Sequence, residues 1–337
     1  MIVVAKLHTI NTQTIILLHQ ILNFFCIFAQ NNCFMEQNSK RLSWFMNLVL
    51  LCCGAMVALF VVSVIIFVCF GPNVTSVGLG PQLTAVVLQN IVVFILPVVL
   101  LALINKSVEH RKMESSLWTE HGPTLRSIAL VVLVYIVALP AMNYIVDWNQ
   151  NLHLPHALNG LEKTMRAMED GAQAITEQLL NTESWAMMLM TVLLVGVLTG
   201  MGEEAFFRAG MLGSMRHGGV NRHVAVWTAA IVFSAIHLQF YGFVPRMLLG
   251  AWFGYVMLWS GEVWTPIIAH ALNNSAVVVC TFLAHNKYIS GNFLETLGVP
   301  QQGEKPFLAI ASAIATAVVI WAFMRKRGER EEVRGKR

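Results

Sequence analysis

Long apolar runs separated by short polar links occupy most of the chain. A helix needs about 20 mainly apolar residues to cross the hydrocarbon core of a bilayer. Segments 43–70, 84–104, 126–146, 184–217, 223–241, 245–260, 264–284 and 306–324 fit or approach that length, with 245–260 the shortest. Continuous helices satisfy their own backbone polar groups in lipid, and the alternating pattern of a membrane barrel is absent. The pattern predicts an all-α, polytopic integral membrane helix bundle with about eight transmembrane helices. It divides into N-terminal transmembrane helices (39–146), an outer loop (147–183), a transmembrane core (184–284), an outer loop with the last span (285–324) and a basic tail (325–337). Within 147–183, Leu161, Met165, Met168, Ala172, Ile175 and Leu179 recur at three- and four-residue steps. That spacing predicts an amphipathic helix that lies on the outer interface or caps the bundle.

Composition agrees with a membrane protein. The 337 residues are 56% hydrophobic and 12% charged, with mean hydropathy +0.64, whereas soluble domains average about 25% charged residues. The net charge of +4 points to no nucleic-acid partner, because the placement of the charges matters more than their sum. With the first span starting in the cytoplasm, that side holds Lys40, Arg41, Lys106, Arg111, Lys112, Arg126, Arg208, Arg216, Arg222 and the tail from Arg325. The other side holds Lys163, Arg166, Arg246, Lys287 and Lys305. The positive-inside bias therefore places both termini in the cytoplasm of a multi-pass protein of the inner or plasma membrane. The lipid bilayer is its first partner, and the charged tail is suited to touch anionic headgroups. Residues 1–38 make a poor signal peptide and read as an extension ahead of a start at Met35. The six cysteines form no CxxC and no Cys/His zinc spacing, which fits small packing residues better than a disulfide framework.

Ionisable side chains inside such spans cost at least ~2.5 kcal/mol each, so they mark function by default. Glu203 and Glu204 sit within a long apolar run, and Glu204 shares a helix face with Arg208 four residues on. That pairing leaves Glu203, about 100° around the helix, free for another task. One carboxylate would suffice to neutralise Arg208. His237 follows Phe233 by four residues on the next span, and His270 precedes Asn274 by four on the seventh, stacked on one face. A lone buried His is commonly a packing residue, and a lone Asn commonly interhelical glue. A His-Asn pair is harder to dismiss. At 1.5 Å per residue, Glu203 lies ~21 Å from the cytoplasmic end of its helix and His237 ~22 Å along the next, so these two are expected at one level. His270, at ~14 Å by the same rise, needs helix tilt to join them.

In that order, EExxxR, FxxxH and HxxxN over roughly 186–283 resemble the family of CAAX proteases and bacteriocin-processing enzymes, which includes the Ras-converting CAAX endopeptidase. Each motif is complete: Glu203, Glu204 and Arg208; Phe233 and His237; His270 and Asn274. The resemblance implies hydrolysis of a peptide bond in a membrane-embedded or membrane-anchored substrate, at a site reached from the cytoplasm. Glu203, assisted by His237, would activate water, while His270 and Asn274 would donate to the oxyanion. Glu204 belongs to the same catalytic set, with Arg208 and Phe233 as supports. No metal is the preferred reading; the alternative is zinc held by Glu203, His237 and His270. HExxH, GxSxG and GxGD are all absent. Ser234, one turn from His237, would leave both carboxylates unexplained as a nucleophile. The rival functions are a non-catalytic immunity or scaffold protein of the same fold and a proton-coupled transporter. The transporter is disfavoured by the lack of an inverted repeat.

Overall fold

A computed structural model describes residues 40–71, 78–109, 122–290, 296–301 and 304–335. The expected extension 1–38 with Met35, and the basic residues Arg111 and Lys112, lie outside the described residues. The described residues form helices and no strands. In chain order these are α1 (Lys40–Phe70), α2 (Leu79–Leu88), α3 (Leu96–Glu109), α4 (Leu125–Gln150), α5 (Asn159–Leu180), α6 (Trp185–Thr191), α7 (Thr199–Glu204), α8 (Gly213–His217), α9 (Arg222–Ala235), α10 (Phe243–Ser260), α11 (Trp264–His285) and α12 (Phe307–Gly335). A π-helical segment, Gln89–Ile95, joins α2 to α3, and two more, Val192–Leu198 and Ala205–Leu212, join α6, α7 and α8 into one continuous rod.

Six helices are long and apolar enough to cross a membrane: Trp44–Phe70, Leu79–Asn105, Leu125–Gln150, the rod Trp185–His217, Trp264–His285 and Phe307–Met324. The other two expected spans, 223–241 and 245–260, become α9 and α10. The first is only 14 residues long and stops at Ala235. The second has 18 residues, with Pro245 and Arg246 in its first turn. Length and composition thus support six crossings among the described residues, with α9 and α10 forming a hairpin between them. Large apolar side chains on the spans, such as Met56, Phe67, Ile136 and Ile314, are exposed. This is the surface of a bundle solvated by hydrocarbon, where helices associate by packing rather than by expelling water.

The rod is the centre of the bundle. It packs against α1, the α2–α3 span, α9 and α11, while α4 packs against α10, α11 and α12. Small residues bring the helices together. A Cβ on Gly250 would sit 3.2 Å from Ala230 Cα, and one on Gly254 would sit 3.1 Å from Val226 Cγ1, so the hairpin closes backbone against backbone. Pro140 interrupts α4, and Ser312 of α12 repairs the gap. Its hydroxyl accepts from Ala141 N–H at 3.2 Å and donates to the Val137 carbonyl at 2.5 Å, as an interrupted helix in lipid requires.

Helix α5 packs on neighbouring helices and on the turn before α10, but its packed face is rotated from the expected stripe. Met165, Ala172 and Leu179 turn inward, whereas Leu161, Met168 and Ile175 are exposed. Charge explains the rotation. Glu162 accepts from Leu154 N–H (2.8 Å) and from Arg166 Nε (3.0 Å), and the Arg166 guanidinium lies 4.1 Å over the Tyr241 ring. Glu169 accepts from Tyr241 N–H at 3.1 Å. These groups must face the protein, and the apolar residues between them are left facing outward. The contacts clamp α5 onto the α9–α10 turn. Asn149 of α4 grips the same turn, accepting from Val244 N–H at 2.8 Å and donating to the Phe240 carbonyl at 3.2 Å.

Candidate active site

Glycines determine where the two carboxylates go. On the rod, a Cβ on Gly196 would overlap Ser275 Oγ, and one on Gly200 would sit 3.0 Å from Ala271 N. With hydrogen there instead, the rod meets α11 backbone to backbone and sets Glu203 and Glu204 beside His270. Gly202 makes the same kind of contact with Asn90 of the α2–α3 span, whose Oδ1 would stand 2.7 Å from an added Cβ. Asn90 is buried in a π-helical segment and donates to the Val86 carbonyl (2.8 Å) and to Thr199 Oγ1 (3.1 Å), tying that span to the rod one turn before the carboxylates. Irregular turns of this kind are frequent at functional sites.

Glu204 is fully buried and is the hub of the cluster. Its Oε1 lies 2.9 Å from Arg208 Nη1 and 2.8 Å from His270 Nδ1. The Arg208 contact is an ion pair whose angle falls short of hydrogen-bond geometry. The guanidinium is held besides by donation from Nη2 to the Gly250 carbonyl at 3.1 Å and by the Phe233 ring 4.9 Å below it. A carboxylate paired with Arg208 accepts, so His270 Nδ1 donates. The other nitrogen, Nε2, then faces Glu203 Oε2 at 3.6 Å. Phe253 stacks on the His270 ring at 4.9 Å and fixes its plane. A histidine oriented by a carboxylate on one nitrogen and presenting the other is a recurrent catalytic device.

His237 is brought to this cluster from outside a helix. The expected continuous span 223–241 ends early because Leu238 takes a left-handed conformation, φ 54°, which a helix does not allow. Helix-end carbonyls in a membrane need partners, and here His237 Nδ1 donates to the Phe233 carbonyl at 2.7 Å. That bond fixes the tautomer of the neutral ring and leaves Nε2 with its lone pair. The Phe233 ring stands between the imidazoles, 5.1 Å from His237 and 5.8 Å from His270, edge-on to both. Ser234 is fully buried, and its hydroxyl donates to the Phe243 carbonyl at 2.7 Å, so it braces the turn. Asn274 sits one turn past His270, where its Nδ2 donates to the Val195 carbonyl at 3.4 Å and its Oδ1 accepts from Asn273 at 3.2 Å.

The segment holding all of these motif residues has a known counterpart. Residues 184–276 match the Rce1-like family. The matching model is that of the type II CAAX prenyl endopeptidase, Rce1-like, and it covers the rod, the hairpin and the first half of α11. No curated protein and no solved structure matches the chain. The Rce1-like domain thus coincides with the part of the fold that gathers Glu203, Glu204, Arg208, Phe233, His237, His270 and Asn274. The six apolar helices make the chain a multi-pass membrane protein.

Among the described residues no three His, Cys, Asp or Glu side chains converge in an arrangement that could hold a metal ion. Glu203, His237 and His270, the candidate zinc set, are not drawn together into such an arrangement. Residues that motif reading does not find also build the site. Asn90, Asn149, Gln239 and Arg246 are single polar residues with no recurring spacing. Their one signal was a polar side chain within or beside an apolar run.

Proposed function

We propose that this chain is an intramembrane endopeptidase in which Glu203 activates water for attack on a peptide bond of a membrane-associated peptide or protein. The observation that carries the reading is the division of labour between adjacent carboxylates. Glu204 already balances Arg208 and orients His270. Glu203, buried and opposed to His270 Nε2, is not needed for that pairing, which supports reading it as the base. A water that donates one hydrogen to Glu203 and the other to a neutral imidazole nitrogen, His270 Nε2 or His237 Nε2, would be oriented for attack. Glu203 takes a proton from that water as its oxygen bonds to the carbonyl carbon. It returns the proton to the departing amine when the C–N bond breaks. General-base assistance of this kind is worth roughly 10²–10⁴-fold. Glu204 and Arg208 act through His270 as positioning residues.

Both expected oxyanion donors have other partners: His270 Nδ1 is held by Glu204, and Asn274 Nδ2 is directed at Val195. The long 3.4 Å bond of Asn274 is the easier to exchange for substrate. Within this reading the protein sits in the inner or plasma membrane with both termini in the cytoplasm. The test is quantitative proteomics of membrane peptides from cells carrying wild type or Glu203→Gln. At least one fragment present with wild type disappears in the variant; identical peptide sets at equal protein levels would refute the proposal.

A further inference from the structure

Three candidates stand out beyond the motif residues: the exposed apolar face of α5, the buried Asn90, and Arg246 at the start of α10. The last has an independent sign of a missing partner. Arg246 Nη2 donates to Gln239 Oε1 at 2.8 Å and fills the space beside Gly242, where a Cβ would come within 2.9 Å of it. Its Nη1 is buried and has no hydrogen-bond partner among the described residues. A buried N–H of a charged group left unpaired is costly, and such an atom in a native fold needs an explanation.

Its position supplies one. Arg208 Nη2 bonds the Gly250 carbonyl, and the same guanidinium pairs with Glu204, so α10 is tied to the rod beside the carboxylates. The rod and α10 are separated by one antiparallel helix, so they run in the same direction. Arg246 stands one turn before Gly250 in α10, with its guanidinium beside Gln239 and Gly242. It also shares a face of α10 with Gly250 and, one turn further, with Phe253, the ring stacked on His270. The charges of Glu169 and Glu203 both act on Arg246, and its own charge acts on His237. The left-handed Leu238 links His237 to Gln239, so one strained turn presents the imidazole and the residue that steers the guanidinium. Strain retained at such a place is characteristic of a working site.

We propose that Arg246 is a further catalytic residue, whose Nη1–H binds the scissile carbonyl oxygen as it becomes an oxyanion. This rests on the endopeptidase reading. When water attacks, the carbonyl π pair moves onto that oxygen, and the charge is met by a buried donor that has no hydrogen bond to give up. The pair returns as the C–N bond breaks, and the amine leaves with the proton carried by Glu203. The rival role is structural, as a counter-charge to Glu169.

The experiment uses the full-length protein in proteoliposomes and a synthetic peptide spanning the cleavage point revealed by the Glu203→Gln comparison. Loss of one oxyanion donor costs about 10²–10³ in kcat. Arg246→Gln is expected to show that loss with KM changed less than about threefold, and Arg246→Lys to retain part of the rate. Lysine keeps the charge and carries the test if the glutamine variant fails to fold. Glu169→Gln is expected to leave kcat within about twofold. Overturning outcomes are an unchanged kcat in both Arg246 variants, or a raised KM with kcat intact, which would mark a ground-state anchor. An equal loss of stability and rate in the Glu169 and Arg246 variants would establish the counter-charge role instead. If no peptide distinguishes wild type from Glu203→Gln, the endopeptidase reading fails and this inference with it.

Discussion

Arg208 and Glu204 are 1% and 0% exposed, so their pairing answers a need that neither residue created alone. Removing one member of a buried pair strands the other, at about 3–5 kcal/mol, whereas replacing both by apolar groups is often neutral or stabilising. Arg208→Met should therefore lower the melting temperature of the purified protein sharply, and Glu204→Leu/Arg208→Met should recover most of the loss. Activity should not return in the double variant, because His270 Nδ1 has lost the carboxylate that orients it. Recovery of both together would mean that Glu204 does not position the histidine. The Glu204–Arg208 pair was legible in the sequence because four-residue spacing stacks side chains on a helix. The bridge from His270 to both carboxylates was not, since it joins residues on different helices through a contact that only glycines at 196 and 200 permit. Those glycines look unremarkable in an apolar run, yet Gly200→Val would press a branched side chain into the Ala271 backbone. Overpacking of this kind costs about 1–3 kcal/mol. The expected result is an inactive protein that still inserts and folds, read as loss of cleavage with a modest fall in melting temperature.

The apolar pattern located the elements well and misjudged how some of them end. It marked 223–241 as one span because Phe240 and Tyr241 continue the apolar run, but the left-handed Leu238 breaks the helix and Asn149 pins the turn that follows. Side-chain hydrogen bonds from distant helices leave no periodicity to read. Helix α5 teaches the same lesson. Its stripe was visible, but its orientation follows from Glu162, Arg166 and Glu169. The Glu162 carboxyl is held down to about 2, first by the Leu154 N–H it accepts, then by His153 and Arg166. A carboxyl lowered on folding contributes stability that is present above its unfolded pKa, near 4.3, and is lost as pH falls toward 2. Amide protection factors across Leu154–Arg166, corrected for the intrinsic pH dependence of exchange, should therefore stay high at pH 7 and fall between about pH 4.5 and 2. Glu162→Gln should remove that acid-dependent step; an unchanged acid response in the variant would mean that other carboxyls hold α5 in place.

Viewed as a whole, the molecule exposes apolar side chains along its spans and concentrates polar ones in a buried cluster, the inverse of a soluble enzyme. The orientation expected for the bundle rests on the asymmetry of charge along the chain. Several cations counted on either side are not available to anionic lipid. Arg208 is neutralised within the bundle, Arg246 is bonded to Gln239, and Arg166 is spent on Glu162 and Tyr241. Discounting them removes two of the five cations on the α5 side but only one from the longer list opposite. The remaining bias is steeper than the raw sequence suggests. Reporter fusions placed in the 218–221 turn should read as cytoplasmic, and fusions at 152–157, ahead of α5, as external. Because His237 lies at the far end of α9 from Arg222, the opposite result would turn the α5-clamped end of the hairpin toward the cytoplasm. It would also make α5, rather than the 218–221 turn, the element that a cytoplasmic substrate meets first.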